Sequence, residues 1–192
     1  MSLNRKKEFI LAYEESLAGE LSEKLLDRPK MSVWMILIPL IFVFHCQRHK
    51  RFVEGKKKFI QEWTRNKEQA LCAAVMEVSG QEERDPEKWR KAVFHLPTAA
   101  QEASLRLQHL LTDHYKKILQ ATGSEIGTLV SQAYGRDGYA LFVRRRIELE
   151  QEFSRHLLAV HDNPEEQTLL RQLDHESALL YERDLNVFCP VS

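Results

Sequence analysis

Apolar side chains recur every three or four positions along most of this chain, the spacing that gathers them on one face of a helix turning once per 3.6 residues. Residues 3–27 show it first: Phe9, Ile10, Tyr13, Leu17, Leu21 and Leu25 form a stripe, while Glu14, Glu15, Glu20 and Lys24 fall elsewhere. Asp27, Arg28 and Pro29 end that helix, because the residue before a proline is pushed out of the helical region.

The pattern then changes character. From Met31 to Cys46 the chain reads MSVWMILIPLIFVFHC, and between Val33 and His45 there is no charge and no polar group except His45 itself. A helix here is apolar on every face rather than along one stripe. Helical periodicity resumes behind it with Ile60, Trp63, Leu71, Ala74, Val75 and Val78, up to Gly80. Pro39, which lacks a backbone donor, and Gly55, which costs roughly 1 kcal/mol against alanine, are the weak points of this long element.

Beyond the charged stretch QEERD, Asp85–Pro86 has the form of an N-cap followed by proline at the first helical position, opening a short helix through Trp89, Val93 and Phe94. Pro97 interrupts it. Thr98 with Gln101 fits a capping box for a helix whose apolar face is Ala103, Leu107, Leu110, Leu111, His114 and Ile118, with Gly123 as its stop. Ser124 starts a short helix ended by Gly135, and Asp137 can cap a long one carrying Tyr139, Phe142, Val143, Leu149, Phe153, Leu157 and Val160. Asn163–Pro164 repeats the cap-plus-proline signal before a last helix marked by Leu169, Leu170, Leu173 and Leu180.

Composition supports helix everywhere. Seven Gly and six Pro in 192 residues leave little material for the turns of an all-β fold. The expected fold class is all-α in three parts. Residues 1–30 form an amphipathic N-terminal helix, 31–80 an apolar segment (31–46) continuing into a basic helix, and 81–192 an antiparallel helical bundle.

Charge sharpens that division although the net charge is zero. Residues 1–30 carry six basic and six acidic side chains, 31–46 none, 47–67 eight against two, and 68–192 fourteen against twenty. A basic collar touching an apolar run suits an anionic lipid surface, whereas the acidic remainder is repelled by headgroups and by nucleic acid alike. The nine Val, Ile, Leu and Phe residues of the run contribute about −3 to −5 kcal/mol of insertion energy at about −0.3 to −0.6 each. Yet residues 31–46 rise only about 24 Å as a helix against a hydrocarbon layer of roughly 30 Å. A full span, a re-entrant hairpin bent at Pro39 and a surface insertion are all open, and so is a buried helix at the centre of a soluble bundle. On the membrane reading the inserting residues are Val33, Trp34, Ile36, Leu37, Ile38, Pro39, Leu40, Ile41, Phe42, Val43 and Phe44. Arg48, Lys50, Arg51, Lys56, Lys57 and Lys58 then meet lipid headgroups and hold their side in the cytoplasm.

Candidate chemistry is sparse. Cys46, Cys72 and Cys189 are far apart and form no CxxC pair, which points to a reducing compartment without disulfides or a zinc knuckle. The apolar run is not read as a cleavable signal peptide, since about thirty amphipathic residues precede it and no A-x-A site follows. His45 and His49 share a helical face beside Cys46, but a metal site wants three or four ligands and no third stands close. His114 and His156 read as core and stripe-edge histidines, with Asp113 or Glu152 as conceivable orienting partners, and Arg144–Arg146 as a solvated face with pairs to nearby glutamates. Phe52, Phe59 and Trp63 interleaved with the basic run could stack on nucleic acid, against which the acidic body argues. No GxSxG, P-loop, GxGxxG or HExxH occurs, and no cofactor is implied.

The sequence thus leads to the expectation of a non-enzymatic protein at the cytoplasmic face of a membrane, single-pass or re-entrant, with a helical bundle that binds a protein partner. The rivals are a soluble cytoplasmic helical regulatory module built around 31–46, and a helical-bundle enzyme or ligand-binding protein using His114, His156 or the arginine cluster.

Overall fold

The computed structural model describes residues 1–25, 39–81, 86–94, 96–159 and 164–190, of which 39–52, 86–88, 92 and 165–166 are described by their backbone alone. Among these residues there are six helices: α1 (Leu3–Leu25), α2 (Pro39–Val78), α3 (Pro86–Val93), α4 (Thr98–Gln120), α5 (Ile126–Leu158) and α6 (Pro164–Phe188). The fold is all-helical and the helices pack as a bundle.

Local chemistry explains most of the helix ends. At the end of α2, Gly80 adopts φ +72°, its N–H donates to Glu77 O at 3.2 Å, and the N–H of Gln81 donates to Met76 O at 3.0 Å. That is a Schellman termination, which needs a left-handed residue and so favours glycine. Prolines open α2, α3 and α6, where the missing N–H is one that a helix start leaves unsatisfied anyway. Asp85 and Asn163, read as caps, lie outside the described residues. Gly55 does not interrupt α2, which runs 40 residues, about 60 Å.

Two expected signals resolve differently. The capping box does not form: Pro97, at φ −56° and ψ 144°, takes the cap position and Thr98 is already the first helical residue, with no side-chain cap bond. Gln101 instead donates from Nε2 to Leu96 O at 2.7 Å. The stop of α4 comes before Gly123, at Ala121, whose backbone is extended. Lys6 from α1 donates to the carbonyls of Leu119 and Ala121, both at 2.7 Å, and satisfies the end of α4 with a cation at the negative pole of its dipole. Gly135 does break α5, at φ +63° and ψ −179°.

Side-chain pairs fix the directions of the helices. Lys56–Glu23 and the proximity of Lys67 to Glu14 set α2 antiparallel to α1. Tyr13–Asp184 and Lys24–Glu176 do the same for α6 and α1, Arg106–Glu152 and His114–Tyr134 for α4 and α5, and Ser154–Asp174 and Arg136–Asn186 for α5 and α6. The pair α2 and α4 differs. Gln108 Nε2 donates to Asn66 O and Lys116 pairs with Glu77, so these two run parallel. The chain between them, which includes α3, returns it to the starting end, and Trp89 of α3 packs against His109 of α4 at 5.1 Å between ring centroids.

One apolar core joins five of the helices: Ile10, Leu17 and Leu21 of α1, Leu71 of α2, Leu111 and Ile118 of α4, Leu129 and Val143 of α5, and Leu180 of α6 are all buried. No helix among the described residues is long and apolar enough to cross a membrane.

Candidate functional site

Glu14, Lys67 and Arg146 each occupy a position in phase with the apolar stripe of their helix, and all three are buried, at 1%, 6% and 3% exposure. Ile10, Leu17 and Leu21 flank Glu14, Trp63 and Leu71 flank Lys67, and Phe142, Val143 and Leu149 flank Arg146, so the seams that carry the core also carry the charges inward. Glu14, expected outside the stripe of α1, therefore lies instead at the centre of the bundle. Arg146 likewise departs from the solvated face expected of Arg144–Arg146. Arg145 does pair at the surface with Glu148 at 2.9 Å and Arg144 is exposed, because about 100° and 200° of helical rotation separate them from Arg146.

The buried charges pair with one another. Arg146 Nε donates to Glu150 Oε1 at 3.1 Å and its Nη2 to Glu14 Oε2 at 3.5 Å, while its carbon sits 4.0 Å from the ring centroid of Tyr181. Tyr115 donates to Glu14 Oε1 at 2.8 Å and Tyr181 to Glu150 Oε1 at 3.0 Å. Lys67 Nζ lies 3.7 Å from the same Glu150 oxygen and 4.4 Å from the ring centroid of Trp63. Two carboxylates, one guanidinium and one amine thus come from three helices, with phenols from two more.

Burial decides how these groups ionise. It holds the Lys67 amine below its ordinary value, with Glu150 pulling the other way. It also works against the Arg146 charge, but Tyr181, Glu14 and Glu150 outweigh it and keep the guanidinium protonated. Burial first, and then a glutamate in each case, pushes the phenols of Tyr115 and Tyr181 up, so both remain hydrogen-bond donors. A cluster of this kind ties the five helices that contribute to it to one another.

Beside it opens a cleft of about 260 Å³ between α2, α4, α5 and α6. Phe59, Trp63, Leu107, Phe153 and Leu173 line it with apolar surface, and Lys67, Glu150 and Asp174 supply its polar floor. Ser154 Oγ donates to Asp174 Oδ1 at 2.7 Å, and burial raises the Asp174 carboxyl above the usual carboxylate range. The lysine, the arginine cluster's inner member and this cleft were not legible as a site; the in-phase placement of Glu14, Lys67 and Arg146 was the available signal.

The histidines behave as the stripes imply. His114 is buried, its Nδ1 lies 3.0 Å from the Tyr134 hydroxyl, and its ring stacks on Phe142 at 3.8 Å between centroids. Burial, then Arg146 and Lys117, lowers its pKa well below the ordinary histidine value, so it is a neutral core histidine. His156 Nε2 is 3.8 Å from Glu152 Oε1, but Glu152 is taken by Arg106.

Of the residues assigned to lipid, Val33, Trp34, Ile36, Leu37 and Ile38 lie outside the described residues. Pro39, Leu40, Ile41, Phe42, Val43, Phe44, Arg48, Lys50 and Arg51 are described only as backbone of α2, and so are His45, Cys46 and His49. Lys57 and Lys58 are exposed, whereas Lys56 pairs with Glu23 at 2.9 Å. Among the described residues, no group of three or more His, Cys, Asp or Glu is placed to hold a metal ion. No protein-family model, curated protein or solved structure matches this chain, so what the cluster and cleft can do has to be read from their own chemistry.

Proposed function

We propose that this is a non-enzymatic membrane-associated protein: its apolar segment inserts shallowly into the cytoplasmic face of a membrane, and its helical bundle docks a protein partner. The reading is supported above all by the register of α1 against α2. Lys56 of α2 pairs with Glu23 of α1, close to Leu25, the last described residue of α1. From that pairing α2 continues back to Pro39, a rise of about 25 Å, with Arg48, Lys50 and Arg51 on it and the rest of the apolar run immediately before it.

Among the described residues α2 extends past the end of α1, and the stretch it carries there joins an apolar run to a basic collar, the make-up of a membrane-docking arm. Shallow insertion rather than a span follows from length, since residues 31–46 fall several ångströms short of the hydrocarbon thickness. Arg48, Lys50, Arg51, Lys57 and Lys58 contribute about 1 kcal/mol each near an anionic leaflet, which firms up an otherwise marginal insertion. Lys56, engaged by Glu23, is set aside from that role. For the bundle, Phe94 and Leu141, 79% and 67% exposed, offer apolar anchors to a protein partner.

Fractionation of the expressed protein with a neutral, low-salt wash tests the anchor. The parent chain remains in the membrane pellet and a folded Ile38→Lys/Ile41→Lys variant is released. A parent chain recovered wholly in the soluble fraction overturns the proposal and leaves a soluble helical module.

A further inference from the structure

Among the described residues, Asp174 is the one charged group lining the cleft that no opposite charge answers. Glu150 is met by Arg146, Tyr181 and Lys67, Glu62 by Arg65 at 2.6 Å, and Lys67 by Glu150. Asp174 receives only the Ser154 hydroxyl, and no cation among the described residues pairs with it; its one acidic neighbour of consequence is Glu150. An uncompensated carboxylate half-buried against Phe153 and Leu173 is costly to the fold and calls for a positive charge from outside.

The walls say what kind of cation. Phe59, Trp63, Leu107, Phe153, Leu170 and Leu173 surround the space with aromatic and aliphatic surface, so the ligand's body is apolar. A volume of about 260 Å³ lies just under the range for drug-sized ligands and fits a single ring or a short branched chain. An aromatic wall adds attraction for an alkylammonium through its ring faces. A metal ion is disfavoured by the same surroundings: of the three lining carboxylates Glu62 is engaged by Arg65 and Glu150 by Arg146, Tyr181 and Lys67, which leaves Asp174 where a hard cation needs six or more oxygens.

We propose that this cleft binds a small organic ammonium, a primary or secondary amine with a compact apolar body, whose nitrogen pairs with the Asp174 carboxylate while its body packs against Phe153 and Leu173. The Lys67 amine does not compete for Asp174, because it is drawn onto Glu150 and the Trp63 ring. The site is independent of the membrane-docking arm, since its residues all lie within the packed part of the bundle.

The test uses the full chain and two probes of one shape, 2-phenylethylammonium and 2-phenylethanol, titrated by calorimetry and followed by the fluorescence of Trp63. The ammonium binds with a dissociation constant of about 1 mM or tighter, and the alcohol binds at least about tenfold more weakly. Asp174→Asn keeps an oxygen for the Ser154 hydroxyl and so keeps the fold, checked by its thermal melt, but lowers ammonium affinity by about tenfold or more. Leu173→Ala weakens both probes together. No detectable ammonium binding, equal affinity for the two probes, or an unchanged affinity in folded Asp174→Asn would each overturn the assignment.

Discussion

Arg146 reaches Glu14 on one side and Glu150 on the other while Tyr181 covers its face, so its removal leaves two buried carboxylates facing a single lysine. Arg146→Met fills similar volume without the charge and is expected to cost about 3–5 kcal/mol of stability, the range for orphaning a buried ionic partner. Arg145→Ala, one position away on the exposed face, is expected to stay within about 0.5 kcal/mol of the parent. Urea unfolding of the two variants makes the comparison, and similar losses in both would show that the buried cluster does not hold the fold. The position of these charges was partly readable beforehand. Glu14 stands four residues after Ile10 and three before Leu17, and Lys67 four after Trp63 and four before Leu71, spacings that continue an apolar seam. What periodicity could not provide was the partner, because Glu14 and Arg146 meet across 132 positions of chain.

Elements were legible where their ends depend on local chemistry. Gly80 and the opening prolines of α3 and α6 act through their own backbone, and their helices stop or start where those residues stand. Gly135 belongs to the same class: its φ of +63° with ψ near 180° is a conformation open essentially to glycine alone. Gly135→Ala is therefore expected to cost about 1–3 kcal/mol, read as a lowered denaturation midpoint, although a Cβ there meets no atom within 4 Å. A neutral substitution would mean that the break in α5 is not enforced at this residue. Where an end depends on another helix, local reading failed. Lys6 of α1 supplies the carbonyls at the end of α4, so that helix stops ahead of Gly123, and Pro97 takes the cap position that the Thr98–Gln101 pair suggests.

For the whole molecule, helix content and the bundle followed from the scarcity of Gly and Pro and from 3.6-residue periodicity along most of the chain. The parallel packing of α2 and α4 did not, because it is set by how the connection through α3 returns, and short helices carry little directional information. The cleft was hidden for a related reason: it forms where α2, α4, α5 and α6 fail to close, a property of four surfaces and of no single stripe. The separation of charge along the chain, by contrast, is a sequence property, and together with the extension of α2 past the described part of α1 it motivates the docking arm.

Depth of insertion examines that arm most directly. In a Trp63→Phe/Trp89→Phe protein that retains its helical circular dichroism, Trp34 is the only indole, and vesicles containing anionic lipid with bromine at graded acyl positions report where it sits. Shallow insertion predicts that Trp34 is quenched most strongly by bromine near the headgroup end of the chains, and that the quenching weakens as salt screens the basic collar. Emission unchanged by every brominated lipid, with Trp34 already shielded in buffer, would contradict the account and make the apolar run part of the protein's own interior.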